Sequence, residues 1–250
     1  MKVAGVGLLT GWGRGIDALP EDSAAAAAGR YVIGIPRPDL PSDRLRRATR
    51  ECLLGITAVE ELLGRLVMPR AALAGSRTAL LYATASAYAA SNRSFIQAAG
   101  GALHFPYTAP SAVPAEVAIE YELSGAYLNF LGGATSTVDA LWYAGNLLER
   151  GECDRALVLA VETFEECADL YRRGRWLTKG PLVEAAACAL LLPGGGRYGY
   201  ASRTSAGDRV RRRAGETFAC APLIAMAAAA GDEIAVGGAW RGRREGLRRI

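Results

Sequence analysis

The stretch from Thr137 to Arg150 limits the fold more than any other. Val138, Ala140, Leu141, Trp142, Tyr143, Ala144, Leu147 and Leu148 leave it almost no polar face. A helix apolar nearly all round has to be buried all round. It follows hydroxyl residues able to cap it (Thr135, Ser136 or Thr137) and stops at Gly151, a residue suited to the left-handed position after a helix. Apolar runs of strand length, Tyr127 to Leu131 and Arg155 to Glu162, flank it. Strand, glycine turn, buried helix and strand make a βαβ unit at the centre of an α/β layered fold.

The same alternation runs along the rest of the chain. Further strands are expected at Lys2–Leu9, Arg77–Ala85, Ala186–Leu192, Gly199–Ser205 and Glu233–Gly238. Helices are expected at Ser42–Val67, Ala87–Ala99, Val113–Leu123, Thr163–Arg172 and Gly215–Ala230, with a loop from Gly29 to Pro41. The whole reads as a single domain over 1–250, essentially one βαβαβ-type repeat with a mixed, mostly parallel sheet. Residues 1–193 form its core and 194–250 a short remainder. No apolar run approaches the length of a membrane span, and the start, MKVAGVGLLTGWGRG, reads as a strand and not as a secretory segment. A cytoplasmic protein is the expectation.

A single histidine, His104, excludes most metal-hydrolase and paired-histidine chemistry. Five widely spaced cysteines without a Cys-x-x-Cys pair fit buried thiols. No metal and no cofactor is expected. The net charge of +4 is too mild to point to nucleic acid.

The stretch LNFLGGATSTVDALWYAGNLLERGECDRALVLAVET, Leu128 to Thr163, resembles the nucleophile elbow of the beta-ketoacyl synthases of the thiolase fold. Three other segments agree with that family in order: KVAGVGLLTGWG, PSAVPAEVAIEYELSGAYLNF, and GPLVEAAACALLLPG with Glu184 on the family's glutamate. The resemblance covers about four-fifths of the chain and corresponds to the family's N-terminal half. It implies a thiolase-like layered fold and membership of a 3-oxoacyl-ACP synthase type of acyltransferase family.

The same resemblance implies that chemistry is missing. Counting back from Gly151 at the family's spacing puts the nucleophile position on Ala134, between Gly133 and Thr135. Condensation needs a thiolate there, at a helix N-terminus that lowers its pKa. Thr135 or Ser136 could replace it only with a positioned base. The family's histidine pair lies on its C-terminal half, and His104 matches neither position. Together these imply a non-catalytic homologue.

Such a chain, like a chain-length factor, would pair with an active beta-ketoacyl synthase and shape its acyl tunnel in bacterial polyketide, aryl polyene or fatty-acid-like biosynthesis. Family dimers pair through a sheet edge beside the elbow and through the preceding loop, here His104 to Pro114. His104, Phe105, Tyr107 and Val113 are therefore the interface or tunnel candidates, and Arg44, Arg47, Arg211 and Arg212 the candidates for docking an acidic carrier protein. The alternative is a homodimer that holds an acyl chain or an acyl carrier protein without catalysis. An acyltransferase using an unrecognised residue is a third reading. Full-length chain-length factors are the family norm, so a chain this short departs from them. Its remainder, or a partner, has to complete the layer over the central helix.

Overall fold

The computed structural model describes residues 1–40, 42–85, 89–97, 105–164, 180–201, 206–229, 236–240 and 243–249. The first half contains β1 (Lys2–Thr10), β2 (Gly13–Arg14), α1 (Ser23–Ala27), β3 (Val32–Ile33), α2 (Arg50–Leu66), β4 (Thr78–Thr84), α3 (Ala89–Gln97) and α4 (Ala112–Glu120). The second contains β5 (Tyr127–Leu131), α5 (Gly133–Glu149), β6 (Arg155–Glu162), β7 (Leu182–Val183), β8 (Ala185–Leu192), β9 (Tyr198–Ala201), α6 (Ala206–Ala214), α7 (Ala221–Ala228), β10 (Val236–Trp240) and β11 (Arg243–Arg249).

The main sheet has the order β2-β1-β8-β6-β4-β5. β4 runs parallel to β5 and to β6, whereas β8 runs antiparallel to both β6 and β1. The strands β1, β4, β5 and β6 therefore share one direction and β8 opposes them. The sheet is mixed, as expected from the sequence, but only β4–β5 and β4–β6 are parallel pairs; the β1–β2, β1–β8 and β6–β8 pairs are antiparallel, because β8 enters between β1 and β6 and β2 folds back on β1. Period-2 alternation divides its side chains between two cores. Leu80, Tyr82, Leu157, Leu159, Cys188 and Leu190 pack with Ile56, Leu62, Val113 and Val117 of α2 and α4. Leu81, Ala83, Val158, Ala160, Ala187 and Ala189 pack with Val138, Leu141, Leu223 and Ile224 of α5 and α7. The small alanines of β8 on this second face let the two helices lie close to the sheet.

Beyond α5 sits a smaller antiparallel sheet of order β10-β11-β9, whose Val236 and Leu247 join the same core as α5. The central helix thus lies between two sheets. The remainder supplies part of the second layer itself, and with it two helices and three strands beyond the single repeat.

Several expectations need correction. The helix expected at Ser42–Val67 divides into a 3-10 turn, Asp43–Arg47, and α2, because Thr49 caps α2 by accepting from the Cys52 amide. The helix α5 begins at Gly133, earlier than expected, and its hydroxyl residues lie inside the first turn rather than capping it. It is also not buried all round, since Trp142 and Tyr143 are 36% and 38% exposed. The expected helix Gly215–Ala230 shortens to α7. Gly215 (φ +86°) instead ends α6, which was not foreseen, and a 3-10 turn at Phe218–Cys220 intervenes. The expected helix Thr163–Arg172 falls almost wholly outside the described residues, as do parts of the strands expected at Gly199–Ser205 and Glu233–Gly238.

Candidate functional site

The elbow forms where β5 ends and the chain turns into α5 through Gly132 (φ +148°) and Gly133 (φ +67°), conformations that a side chain would strain. Ala134 follows, only 4% exposed, with Gly133, Thr135, Ser136 and Thr137 buried around it. Each hydroxyl is engaged with a main-chain carbonyl. Thr135 Oγ1 donates to Gly132 O (3.2 Å), Ser136 Oγ to Gly133 O (2.7 Å) and Thr137 Oγ1 to Ala219 O (2.6 Å). A neutral carbonyl cannot take a proton as a general base, so these bonds orient the hydroxyls without activating them. The described cysteines Cys52, Cys153, Cys188 and Cys220 are buried, and burial pushes the Cys153, Cys188 and Cys220 thiols up, the reverse of what a catalytic thiolate needs. Cys167 lies outside the described residues.

The smaller sheet covers the same spot. A Cβ built on Gly238 of β10 would stand 2.4 Å from Ala134 O and 2.9 Å from Ala134 Cβ. Only a glycine lets β10 lie this close. No signal in the linear sequence pairs Gly238 with Ala134.

The interface candidates divide. His104 lies outside the described residues. Phe105 is 64% exposed, its ring 5.8 Å from that of Phe95 on α3. Val113 is fully buried against α2, where a Cβ at Gly55 would meet its Cγ1 at 2.8 Å, so it sits in the core and not at a rim. Tyr107 is half-buried and its hydroxyl donates to Glu116 Oε1 (2.9 Å), turning it inward. Burial and the Glu116 carboxylate push Tyr107 up to about 12. Because the folded value exceeds the ordinary one, this stabilisation is full below pH 10 and is lost as pH rises towards 12. Tyr107→Phe is expected to cost about 1 kcal/mol at pH 8. That difference should disappear by pH 12 in parallel urea titrations.

Glu116 is also held by Arg44, which bridges to Glu120, and Arg70 joins Glu120 (2.9 Å) to Glu60 (2.8 Å). This chain of charges fastens α4 to α2 and to the turn that carries Phe105. Arg44 therefore has its charge met within the fold. Arg211 pairs with Glu216 (3.1 Å) and Arg212 with Asp22 (3.6 Å), while Arg47 is exposed on the turn before α2.

The strand β5 is the open edge of the main sheet. Leu80 N donates to Ala126 O and Gly132 N to Thr84 O, and the alternation between those two bonds turns the main-chain groups of Tyr127, Asn129 and Leu131 outward. Tyr127 and Leu131 are 40% and 57% exposed. Beside them, Tyr143 packs on Phe130 and Trp142 stacks on Tyr200, giving an apolar, largely aromatic face that borders the elbow.

Buried carboxylates brace the loops at the strand ends. Glu184 accepts from the Ile35 amide (2.7 Å) and the Phe164 amide (2.9 Å) and pairs with Arg50. Glu162 accepts from the Ala85 and Ala219 amides (2.7 and 3.3 Å), and Thr163 donates to Glu51 (2.7 Å). Among the described residues, no group of three or more His, Cys, Asp or Glu could hold a metal ion, and no helix is long and apolar enough to cross a membrane.

Known structures share this layered arrangement. The chain aligns over its full length with 99% of a chain of "The ishigamide ketosynthase/chain length factor" (TM-score 0.72, 17% identity). It aligns equally fully with 99% of a chain of "AntDE:AntF (apo): type II PKS acyl-carrier protein in complex with its ketosynthase bound to the hexaketide" (TM-score 0.73, 12% identity). It also matches the whole of a beta-ketoacyl synthase chain from Burkholderia phymatum STM815 (TM-score 0.68, 14% identity). At such identities these likenesses establish the thiolase-like fold. No curated protein sequence matches it. The model of the beta-ketoacyl synthase N-terminal domain, however, matches residues 39–179, more than half of the sequence and the part that builds the elbow. By that match, laid over a glycine elbow with its helix between two sheets, the chain belongs to the beta-ketoacyl synthase family.

Proposed function

We propose that this chain is a non-catalytic, single-domain ketosynthase-like subunit that pairs with an active beta-ketoacyl synthase and shapes its acyl tunnel, in bacterial polyketide, aryl polyene or fatty-acid-like biosynthesis. The observation that carries this reading is the methyl group of Ala134 at the elbow, surrounded by hydroxyls bonded to carbonyls. A helix N-terminus with no nucleophile cannot take an acyl chain as a thioester. The scaffold that would present one is nevertheless intact, which argues for a role in assembly.

Two surfaces support pairing. The outward main-chain groups of β5 can add a strand from a second ketosynthase-fold chain, and the exposed Tyr127 and Leu131 give that strand apolar partners. The exposure of Phe105 supports it as the candidate side chain for a partner's tunnel, with Tyr107 bonded to Glu116 behind it. Arg47, exposed before α2, and Arg44, Arg211 and Arg212, which are ion-paired yet still exposed, are the candidates for meeting an acidic carrier protein, and the reading calls for no cofactor.

Coexpression of the tagged chain with an intact ketosynthase from its own genome, followed by purification and light scattering, is the direct test. A one-to-one complex is expected. A homodimer that ignores a coexpressed ketosynthase overturns the reading and moves the function to an acyl-chain or carrier-protein binding module.

A further inference from the structure

We propose that the groove beside the carboxy-terminal half of α5 is a ligand site separate from the elbow, and that it takes a small amphipathic carboxylate, with the apolar chain against Trp142, Met1 and Leu148 and the carboxylate on Arg197. The groove encloses about 380 Å³ and opens past Asn146 and Glu149 into a wider trough of about 530 Å³ that Arg150 borders. Small organic ligands occupy clefts of roughly 300–1,000 Å³. Asn146 follows Ala134 on the same helix at a distance of about 18 Å along its axis, so the groove is not the elbow. Met1 and Pro193 adjoin β1 and β8, which β6 and β4 separate from the β5 edge, so pairing through β5 leaves the groove open.

The floor is apolar and firmly held. Met1 and Leu148 belong to the core under α5, and a Cβ on Gly145 would come within 3.2 Å of the Met1 sulfur. A glycine inside a helix costs about 1 kcal/mol relative to alanine, and here it makes room for that side chain. Trp142 stands exposed at the side of the groove, its ring held by that of Tyr200 at 5.6 Å. A fixed aromatic wall over an apolar floor gives a hydrocarbon chain a surface to leave water for.

The mouth has the chemistry for an anion. The loop before β9 turns through Gly194, Gly195 and Gly196, all at positive φ (+99°, +76° and +95°), and Gly196 O accepts from the Met1 amino group (2.7 Å). A Cβ on Gly195 would fall 2.6 Å from Met1 O, so only glycine lets the loop close on the start of β1 and set Arg197 at the rim. Arg197 pairs with Glu149, and the two side chains are 74% and 44% exposed. Arg150, beside them, reaches Glu152 only at 3.7 Å. The groove is thus bordered by two guanidiniums and one carboxylate. An ion pair this exposed contributes little, so Arg197 can exchange Glu149 for a ligand carboxylate while Glu149 stays solvated. The planar fork of a guanidinium matches a carboxylate with two parallel hydrogen bonds.

Calorimetric titration of the isolated chain with decanoate, against decanol and decylamine, is the test. Decanoate is expected to bind one per chain and at least ~10-fold more tightly than either control, as a charge-assisted contact to Arg197 requires. Arg197→Glu should weaken it at least ~10-fold, whereas Glu149→Gln, which removes the internal competitor, should tighten it about 3-fold. Opposite signs from these two neighbours place the ligand at this rim and not at the elbow. Trp142→Ala should weaken decanoate about 10-fold and leave its preference over decylamine intact. The proposal is overturned if decanoate does not bind, if the three probes bind alike, if Arg197→Glu has no effect, or if Glu149→Gln fails to tighten binding. Should Trp142→Ala not fold, the two rim variants, both at exposed side chains, decide. Every readout uses the chain alone, so failure here and failure to pair with a ketosynthase are separable.

Discussion

Replacing Glu184 with leucine is expected to destabilise the fold by about 3–5 kcal/mol, the cost of breaking a buried, hydrogen-bonded charge pair from one side. Glu184 is almost wholly enclosed, and its two oxygens serve three donors: the Ile35 and Phe164 amides and the Arg50 guanidinium. Leucine would leave all three without an acceptor in a region where water cannot replace it. The three donors come from separate places, the segment after β3, the start of α2 and the second residue after β6, so one carboxylate fastens three chain segments at one end of the sheet. A fall in melting temperature of roughly 10 °C follows from that loss for a chain of this size. Arg50→Met should also destabilise, because it strands the carboxylate, and the double variant should cost less than the two single changes added together. Thermal and urea unfolding of the four proteins measure this. A loss below about 1 kcal/mol for Glu184→Leu would show that the pair contributes little to holding these segments.

Most of the sheet was legible in the sequence because its inner strands, β4, β6 and β8, are buried nearly throughout. β5 and β6 coincide with their expected bounds, and β1, β4 and β8 fall within a residue or two, since runs such as ALVLAVE and AAACALLL sit between two helical layers. Arg211 and Arg212 were read only as candidates for docking a carrier protein. Both lie on α6, whose Val210 and Ala214, one turn apart, reach the core. The start of α5 was misplaced because Thr135, Ser136 and Thr137 have the chemistry of caps, and the positive φ values at Gly132 and Gly133 that begin the helix have no sequence signature beyond glycine itself.

The site was legible in one coordinate and hidden in another. Counting back from Gly151 at the spacing of the resembled family places Ala134 at the elbow, and α5 does begin beside it, at Gly133. The contacts that decide what surrounds it are all long-range: Gly238 on Ala134, Ala219 on Thr137, Glu116 on Tyr107. The arginines carry the same lesson. Glu116, Glu120, Glu216 and Asp22 stand beside Arg44, Arg211 and Arg212, ion pairs that the linear sequence does not show.

Asn129→Pro is expected to weaken pairing through β5 at least ~100-fold while leaving the isolated chain's stability nearly unchanged. The reason lies in which way each peptide group of the edge strand points. Bonds to β4 use the even-numbered residues from Ala126 to Gly132, so the Asn129 N–H faces away from the sheet and proline removes no bond within it. Antiparallel addition of a second strand centred there would need that N–H as donor and would place the proline ring against the incoming backbone. Asn129→Val keeps the donor and removes only the side-chain amide, so it should pair normally. Analytical ultracentrifugation of both variants with the coexpressed ketosynthase separates the two effects, and unfolding of each chain alone confirms that β5 still pairs with β4. Undiminished assembly of the proline variant would mean that the edge of the sheet is not the contact. The pairing would then have to rest on the aromatic face formed by Trp142, Tyr143 and Tyr200.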